Sequence, residues 1–244
     1  MEPTLFSLLL IGVAVVAFLY SSVGHAGASG YIAVMSLCGL TATFIRPTAL
    51  VLNILVAAIG AFHFWRAGHF SWRLFWPFAL LAVPCAFVGG ALRVPGDLLQ
   101  LLIGAVLLFS AARLFFRYGD PTTTTAPPRV VALGCGAVIG LLSGLTGTGG
   151  GIFLTPLLLF CHWAPTKRAA AVSVLFILVN SIAGLSGFLT SGQAVPSITW
   201  LLAIGAVLAG AAGSYLGSQR FPVRAISVLL AIVLVIAGCK LLFT

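Results

Sequence analysis

Two stretches of the sequence combine glycine with hydroxyl and imidazole side chains, and these are the residues best suited to chemistry. Residues 140–152 read GLLSGLTGTGGGI, and residues 21–31 read SSVGHAGASGY. Each glycine costs a helix about 1 kcal/mol relative to alanine, so both stretches predict a break in helical structure. Where a helix restarts after a break, its first amide groups are free and carry a partial positive charge, an arrangement that binds anions.

The candidate binding residues are those that could place hydroxyl, amide or imidazole groups, or bare backbone, around an anion. In the second stretch, consecutive glycines leave backbone amides open to close approach, and the neighbouring hydroxyls are expected to add donors. The predicted set is Ser22, His25, Ala28, Ser29, Gly30, Asn53, Ser143, Thr146, Gly147, Thr148, Gly149, Gly150, Gly151 and Asn180.

Five ionisable or amide side chains in or near the two stretches could act on an anion or on its proton. His25 has an unperturbed pKa of about 6.5 and could couple transport to a proton, but a neutral histidine hydrogen-bonded between helices is an equally good interpretation. Asn53 and Asn180 could brace the broken backbone, touch the substrate or join helices. Arg46 and Lys167 are expected in equivalent loops, drawing anions to opposite mouths or extending to the membrane surface.

The elements that carry these residues must lie in a membrane, because 61% of the chain is hydrophobic and only 6% is charged. Soluble domains carry about 25% charged residues. The acids are limited to Glu2, Asp97 and Asp120, which argues against paired-carboxylate catalysis, and no enzyme activity is expected. The net charge of +9 comes from single Lys and Arg residues in short loops, so no nucleic-acid partner is expected.

No metal and no cofactor are expected. The five cysteines have no CxxC spacing, and histidines and cysteines do not cluster as metal ligands do. The glycine run also lacks the strand and the lysine of nucleotide-binding loops. Cys38 and Cys161 fall at nearly equivalent places, which leaves a thiol relay for sulfur transfer as an alternative.

Apolar runs divide the chain into ten segments, with a polar linker after the fifth. This predicts an all-α polytopic membrane protein of two inverted repeats, each with about five helical segments, one of them a short broken or re-entrant helix opened by a glycine-rich stretch. The domains are a first repeat at 1–117, a cytoplasmic linker at 118–128 and a second repeat at 129–244. The segments are 5–20, 31–40, 48–65, 74–92, 98–116, 130–142, 152–161, 169–189, 198–216 and 225–243.

The two halves align with small insertions. Ser22 pairs with Ser143, Gly30 with Gly151, and Arg46 with Lys167 in the first part, and Gly89 pairs with Gly213 further on. Ordered matches of this kind indicate a duplication.

The distribution of basic residues predicts how the segments are oriented across the membrane. If every segment crosses the membrane, Arg46, Arg93 and Lys240 lie on one side and the other nine of the twelve basic residues on the opposite side. If the two short segments do not cross, the basic residues divide evenly. The positive-inside rule therefore favours inverted halves in a bacterial inner membrane, with both termini periplasmic.

The motif GLTGTGGGIFLTP at 144–156 resembles the signature of the sulfite exporter TauE/SafE family. Members of that family are also small, duplicated, apolar permeases with a glycine-rich segment early in each half. The resemblance implies transport of sulfite, thiosulfate or an organosulfonate such as sulfoacetate. The first-half copy departs from the pattern, since Met35 stands where the second half has Pro156.

The predicted function is secondary transport of a small sulfur-containing anion by alternating access between the repeats. The expected partners are that anion and the lipid bilayer, with a homodimer left open. One alternative is a channel for small anions or neutral solutes. Another is a membrane protein without transport activity that assists an assembly.

Overall fold

The structure, a computed structural model, describes residues 3–22, 26–115, 123–220, 234–236 and 238–242, and in these ranges it is helical with connecting loops and no strand. The all-helical membrane prediction is confirmed. The helices are α1 (Pro3–Ser22), α2 (Ala28–Leu37), α3 (Ala42–Arg66), α4 (Trp72–Ala91), α5 (Gly96–Phe115), α6 (Arg129–Thr146), α7 (Gly151–Phe160), α8 (Thr166–Thr190) and α9 (Ile198–Arg220), followed by helical residues at 234–236 and 238–242.

Helix length separates the spanning elements from the short ones. Within the described ranges, α1, α3, α4, α6 and α8 are long and apolar enough to cross a membrane, which makes this a multi-pass membrane protein. Helices α2 and α7 have 10 residues each. At 1.5 Å per residue each is about 15 Å long, half the thickness of a bilayer core.

The register of the two halves differs from the predicted alignment. Ala28 opens α2 and Gly151 opens α7, so Ala28, rather than Gly30, occupies the place of Gly151. Helix α3 begins six residues before the predicted segment, and Arg46 therefore lies inside a helix. The pairing of Arg46 with Lys167 as loop residues was wrong.

The longest helices, α3 and α8, cross in opposite directions. Gly60, late in α3, faces Val174, early in α8, and a Cβ atom on Gly60 would lie 3.1 Å from a γ-carbon of Val174. Gly184, late in α8, faces Leu50 in the first half of α3. Since α3 and α8 are the third elements of their halves, this direction is compatible with an inverted repeat.

A glycine ladder joins α4 to α6. Gly136, Gly140 and Gly144 face the backbone carbonyls of residues 78, 82 and 86 in turn, so the two helices run parallel and nearly touch. Small residues at a spacing of four allow this approach in membranes. Gly89 of α4 faces the carbonyl of Leu141, and its predicted counterpart Gly213 faces the carbonyl of Phe18 in α1.

The buried side chains form two large clusters that do not follow the sequence halves. We call them cluster A, from α1, α2, α3, α5, α9 and residue 234, and cluster B, from α4, α6, α7 and α8. Each half thus contributes its fourth helix to the cluster of the other half. A small third cluster of Ala26, Ala57, Val174 and Ile177 joins α3 to α8.

Basic side chains collect where α3 ends and where α4, α6 and α8 begin. We call this the basic end of the molecule. Its exposed cations are Arg66, Arg73, Arg129, Lys167 and Arg168.

Candidate functional site

The second glycine stretch forms a sharp break between α6 and α7. Gly147, Gly149 and Gly150 all have positive φ, at 81°, 73° and 81°. Side-chain-bearing residues rarely adopt this conformation, so glycine is required at three of the four positions in the break. A Cβ on Gly150 would also lie 2.9 Å from the Phe176 ring. The predicted helix break therefore needs glycine for its backbone conformation, and at Gly150 it also leaves little room for a side chain.

The break lies at the end of α7 that is away from the basic end of the molecule. The amide of Thr125, just before α6, donates to the carbonyl of His162, just after α7, at 3.0 Å. Helix α7 thus returns to the end at which α6 begins, and its 10 residues span about 15 Å of a core about 30 Å thick. Its amino-terminal end points into the protein interior.

The first turn of α7 presents free backbone amide groups at the candidate site. The amides of Phe153 and Leu154 both donate to the carbonyl of Gly150 at 3.1 Å. The amides of Gly151 and Ile152 have no acceptor within the helix, as at any helix start. Two donors and the positive end of a helix dipole therefore meet in the break.

The threonine hydroxyls contribute differently from the prediction. Thr146 donates to the carbonyl of Leu142 at 2.7 Å, and its oxygen lies 3.0 Å from the hydroxyl of Thr148. Because the Thr146 proton is used, Thr148 donates to Thr146. Neither proton is left for an anion, and both threonines instead stabilise the shape of the break.

Buried polar groups without partners surround the same break. Asn53 in α3 donates from Nδ2 to the carbonyl of Gly147 at 3.1 Å, while its Oδ1 has no partner. The hydroxyls of Ser143 and Ser181 and both amide atoms of Asn180 are also buried without hydrogen bonds. A buried unsatisfied group costs about 1–3 kcal/mol, so several at one place make this break the candidate ligand site.

Helix α8 places Asn180 and Ser181 on the side that faces the break. A Cβ on Gly149 would lie 2.9 Å from the Ser181 hydroxyl and 3.3 Å from Nδ2 of Asn53. Asn180 follows Ile177 by three residues, which places them on one face of α8, and Ile177 lies against Gly149 and Gly151. Ser173, on the same face, has an unpartnered buried hydroxyl too. The sequence analysis missed Ser173 and Ser181, although their spacing of eight was a usable signal.

The first break is described only in part. Ser22 ends α1, but its side chain and residues 23–25, including His25, lie outside the described residues. Ser29 is buried and shares a hydrogen bond of 2.8 Å with the Tyr20 hydroxyl. Ala28 and Gly30 are buried in the first turn of α2, where Gly30 lies against Val16 and Tyr20 of α1.

Both breaks lie beside the crossing of α3 and α8. Ala26, in the first break, belongs to the small cluster that contains Ile177, and Ile177 also lies against the second break. The crossing of α3 and α8 therefore contributes residues that pack beside both breaks.

Arg46 is the feature that sequence reasoning placed wrongly. It is 2% exposed and donates to four backbone carbonyls: from Nε to Gly144 at 2.9 Å, and from the terminal nitrogens to Gly89, Gly90 and Leu92. These carbonyls lie near the carboxyl ends of α4 and α6, where helix dipoles are negative. Its backbone meets Gly147 on the site side. Lys167, by contrast, is exposed.

The cysteines form neither disulfides nor, in the described part of the chain, a metal site. The five cysteines are not in disulfides, and burial raises the pKa of the Cys38 and Cys161 thiols, which disfavours thiolate at neutral pH. In the described part of the chain, no three His, Cys, Asp or Glu side chains come close enough to hold a metal ion.

Comparison with known proteins identifies the family of this chain. The family model of the sulfite exporter TauE/SafE matches residues 8–241. The chain belongs to the TauE/SafE family. This TauE/SafE protein is 40% identical over 242 residues to the probable membrane transporter protein y4hK of Sinorhizobium fredii, covering 96% of this chain and 97% of that protein. It is therefore a membrane transporter by family.

More distant relatives match part of the chain. The probable membrane transporter protein YunE of Bacillus subtilis is 30% identical over 128 residues, which cover 51% of this chain and 45% of that protein. A probable membrane transporter protein of Methanocaldococcus jannaschii is 28% identical over 152 residues, covering 61% and 57%. No solved structure matches.

Proposed function

We propose that this protein is a secondary transporter of small sulfur-containing anions such as sulfite, thiosulfate or an organosulfonate like sulfoacetate. The observation that carries the proposal is the set of unpartnered buried donors around the amino-terminal end of α7. Amides of Gly151 and Ile152, the hydroxyls of Ser143 and Ser181 and the Asn180 amide suit an oxyanion. The family description as a sulfite exporter points to the sulfur class.

Arg46 supplies a fixed positive charge near the site. Of the three acids in the chain, Asp97 alone is described, and it is exposed at the start of α5. A buried cation balanced by carbonyl dipoles, with no described carboxylate beside it, favours a nearby anion. The role of His25 as a proton carrier and of Ser22 and Ser29 in a second half-site belongs to the same proposal.

The proposed topology has inverted repeats at 1–117 and 129–244, joined by the linker at 118–128. The basic end then faces the cytoplasm of a bacterial inner membrane, and both termini face the periplasm. Alternating access would expose the breaks to one side and then the other. The protein needs no enzymatic step or cofactor for this, and a homodimer is compatible with it.

The test begins with purified protein and thermal shifts against sulfite, thiosulfate, sulfoacetate, taurine and sulfate. Proteoliposomes loaded with an unlabelled stabilising anion are then given trace labelled anion outside. A carrier accumulates label transiently by counterflow and saturates, whereas a channel gives neither behaviour. Linear, non-saturating flux would overturn the carrier proposal in favour of a channel, and absence of both binding and flux would favour a non-transport role.

A further inference from the structure

A polar cavity of about 290 Å³ lies at the basic end, away from the glycine breaks. Three separate segments form it: the start of α4, the extended segment before α6 and the loop that leads into α8. Its lining includes Ser71, Arg73, Thr124, Thr125, Trp163 and Arg168.

The charge in this cavity is not balanced by any described acid. Arg73 and Arg168 are both exposed. Asp97, the one acid among the described residues, begins α5 beyond the opposite end of α4. A helix of 20 residues is about 30 Å long, several times the distance over which salt screens a charge. Arg73 and Arg168 therefore line one cavity without a protein counter-ion in the described structure.

Backbone geometry adds to the positive potential. Arg73 is the second residue of α4 and Arg168 the third of α8, so two helix starts, each with a positive dipole end, open at the cavity. Ser71 precedes α4 but makes no side-chain hydrogen bond to its amides, which leaves its hydroxyl for another partner.

The walls of the cavity are held in place. The hydrogen bond from Thr125 to His162 ties the segment before α6 to the loop after α7. The Trp163 ring lies 6.0 Å from the ring of Phe78, a fully buried residue of α4. The two arginines thus extend from a fixed frame.

We propose that this cavity is a second oxyanion site, in which Arg73 and Arg168 together bind one sulfate-like or phosphate-like group. Arginine pairs suit such groups because each guanidinium can donate two parallel hydrogen bonds. The group comes either from a free anion in solution or from the headgroup of an anionic lipid, since both present negatively charged oxygens on a tetrahedral sulfur or phosphorus centre. The proposal stands apart from transport through the central site.

The test compares the wild type with the double variant Arg73→Gln, Arg168→Gln and with Arg129→Gln as a matched control. Arg129 is an exposed arginine of the same end that does not line the cavity. Binding is measured at low salt on purified full-length protein with sodium sulfate, and separately with phosphatidylglycerol against phosphatidylcholine. We expect the double variant to lose at least tenfold in affinity for one probe, while the control binds as the wild type does.

A loss of affinity for sulfate identifies a free-anion site, and a loss of affinity for phosphatidylglycerol alone identifies a headgroup site. The proposal is overturned if the double variant binds both probes like the wild type. It is also overturned if the Arg129→Gln control loses as much affinity as the double variant does. If the glutamine variant melts below the wild type without ligand, Arg73→Lys with Arg168→Lys replaces it. These lysines keep the charge without the bidentate geometry. The lysine variant should therefore bind the probe more weakly than the wild type and more tightly than the glutamine variant.

Discussion

Arg46 shows how a single residue can join several helices in a membrane. Its guanidinium satisfies carbonyls near the ends of α4 and α6 while its own helix, α3, belongs to cluster A. Phe188 of α8 covers it, with its ring centre 5.5 Å from the guanidinium carbon. The residue is therefore the polar link between the two clusters, beside the hydrogen bond from Asn53 to Gly147.

Replacing Arg46 with alanine should lower the melting temperature of the detergent-purified protein. Each buried carbonyl left without a donor costs about 1–3 kcal/mol. Arg46→Lys should recover part of the loss, because lysine keeps the charge but not the planar fork of donors. Arg66→Ala is the control, since Arg66 is exposed at the end of α3. A melting temperature of Arg46→Ala equal to that of the control would contradict this role.

At this scale the sequence predicted the break and some of the polar groups beside it, such as Asn53 and Asn180, but not Arg46 or Ser181. Consecutive glycines near Thr148 predicted the helix break without any tertiary information. Arg46 could not be placed, because a charged residue before Pro47 is typical of a loop, and only the carbonyls of two distant helices make its burial tolerable. Ser181 was missed because single serines are common in membrane helices and usually bond to their own backbone.

At the scale of elements, glycine spacing decides which helices approach each other. The ladder at Gly136, Gly140 and Gly144 brings α6 against the backbone of α4, whereas Gly134 in the same helix has no neighbour within 4 Å of an added Cβ. The sequence analysis treated the whole glycine-rich stretch at 140–152 as a break. Gly144 belongs to the glycine-rich stretch by sequence and to the packing ladder by structure.

Gly140→Ala should destabilise the protein, and Gly134→Ala should not. A Cβ on Gly140 would lie 2.6 Å from the Cα of Ala82, so α4 and α6 would have to separate. At Gly134 the methyl group meets nothing and gains helix propensity of up to about 1 kcal/mol. Thermal unfolding of both variants checks this. Equal melting temperatures would show that the helices are less closely packed than described.

At the scale of the whole molecule, the packing groups differ from the sequence halves. The order of elements and the short second helix of each half followed from apolar runs and glycines. The exchange of α4 and α9 between clusters did not, because a hydropathy pattern contains no information on which spans are neighbours. We expect the clusters, rather than the halves, to move against each other, with the crossing of α3 and α8 as the sliding contact.

A disulfide across that crossing should stop transport. In the pair Gly60→Cys, Val174→Cys, the added Cβ on residue 60 lies 3.1 Å from a γ-carbon of Val174, close enough for a disulfide with small adjustment. Oxidation should abolish counterflow and a reductant should restore it. The control pair Gly12→Cys, Val34→Cys joins α1 to α2 within cluster A, at a Cβ distance of 3.7 Å, and should leave transport intact. Full activity of the oxidised 60–174 pair would refute motion at this crossing.

The central claim is that the anion binds in the break between α6 and α7, and the hydroxyl of Ser181 tests it most directly. Ser181→Ala removes a buried donor beside Gly149, whereas Ser186→Ala, the control, removes an exposed hydroxyl of the same helix that donates to the carbonyl of Ile182. The measurement is the KM for sulfite counterflow in proteoliposomes. A hydrogen bond to a charged group is worth about 1.5–3 kcal/mol, so the account predicts a KM raised about tenfold or more in Ser181→Ala and unchanged in Ser186→Ala. Wild-type KM values in both variants would contradict it.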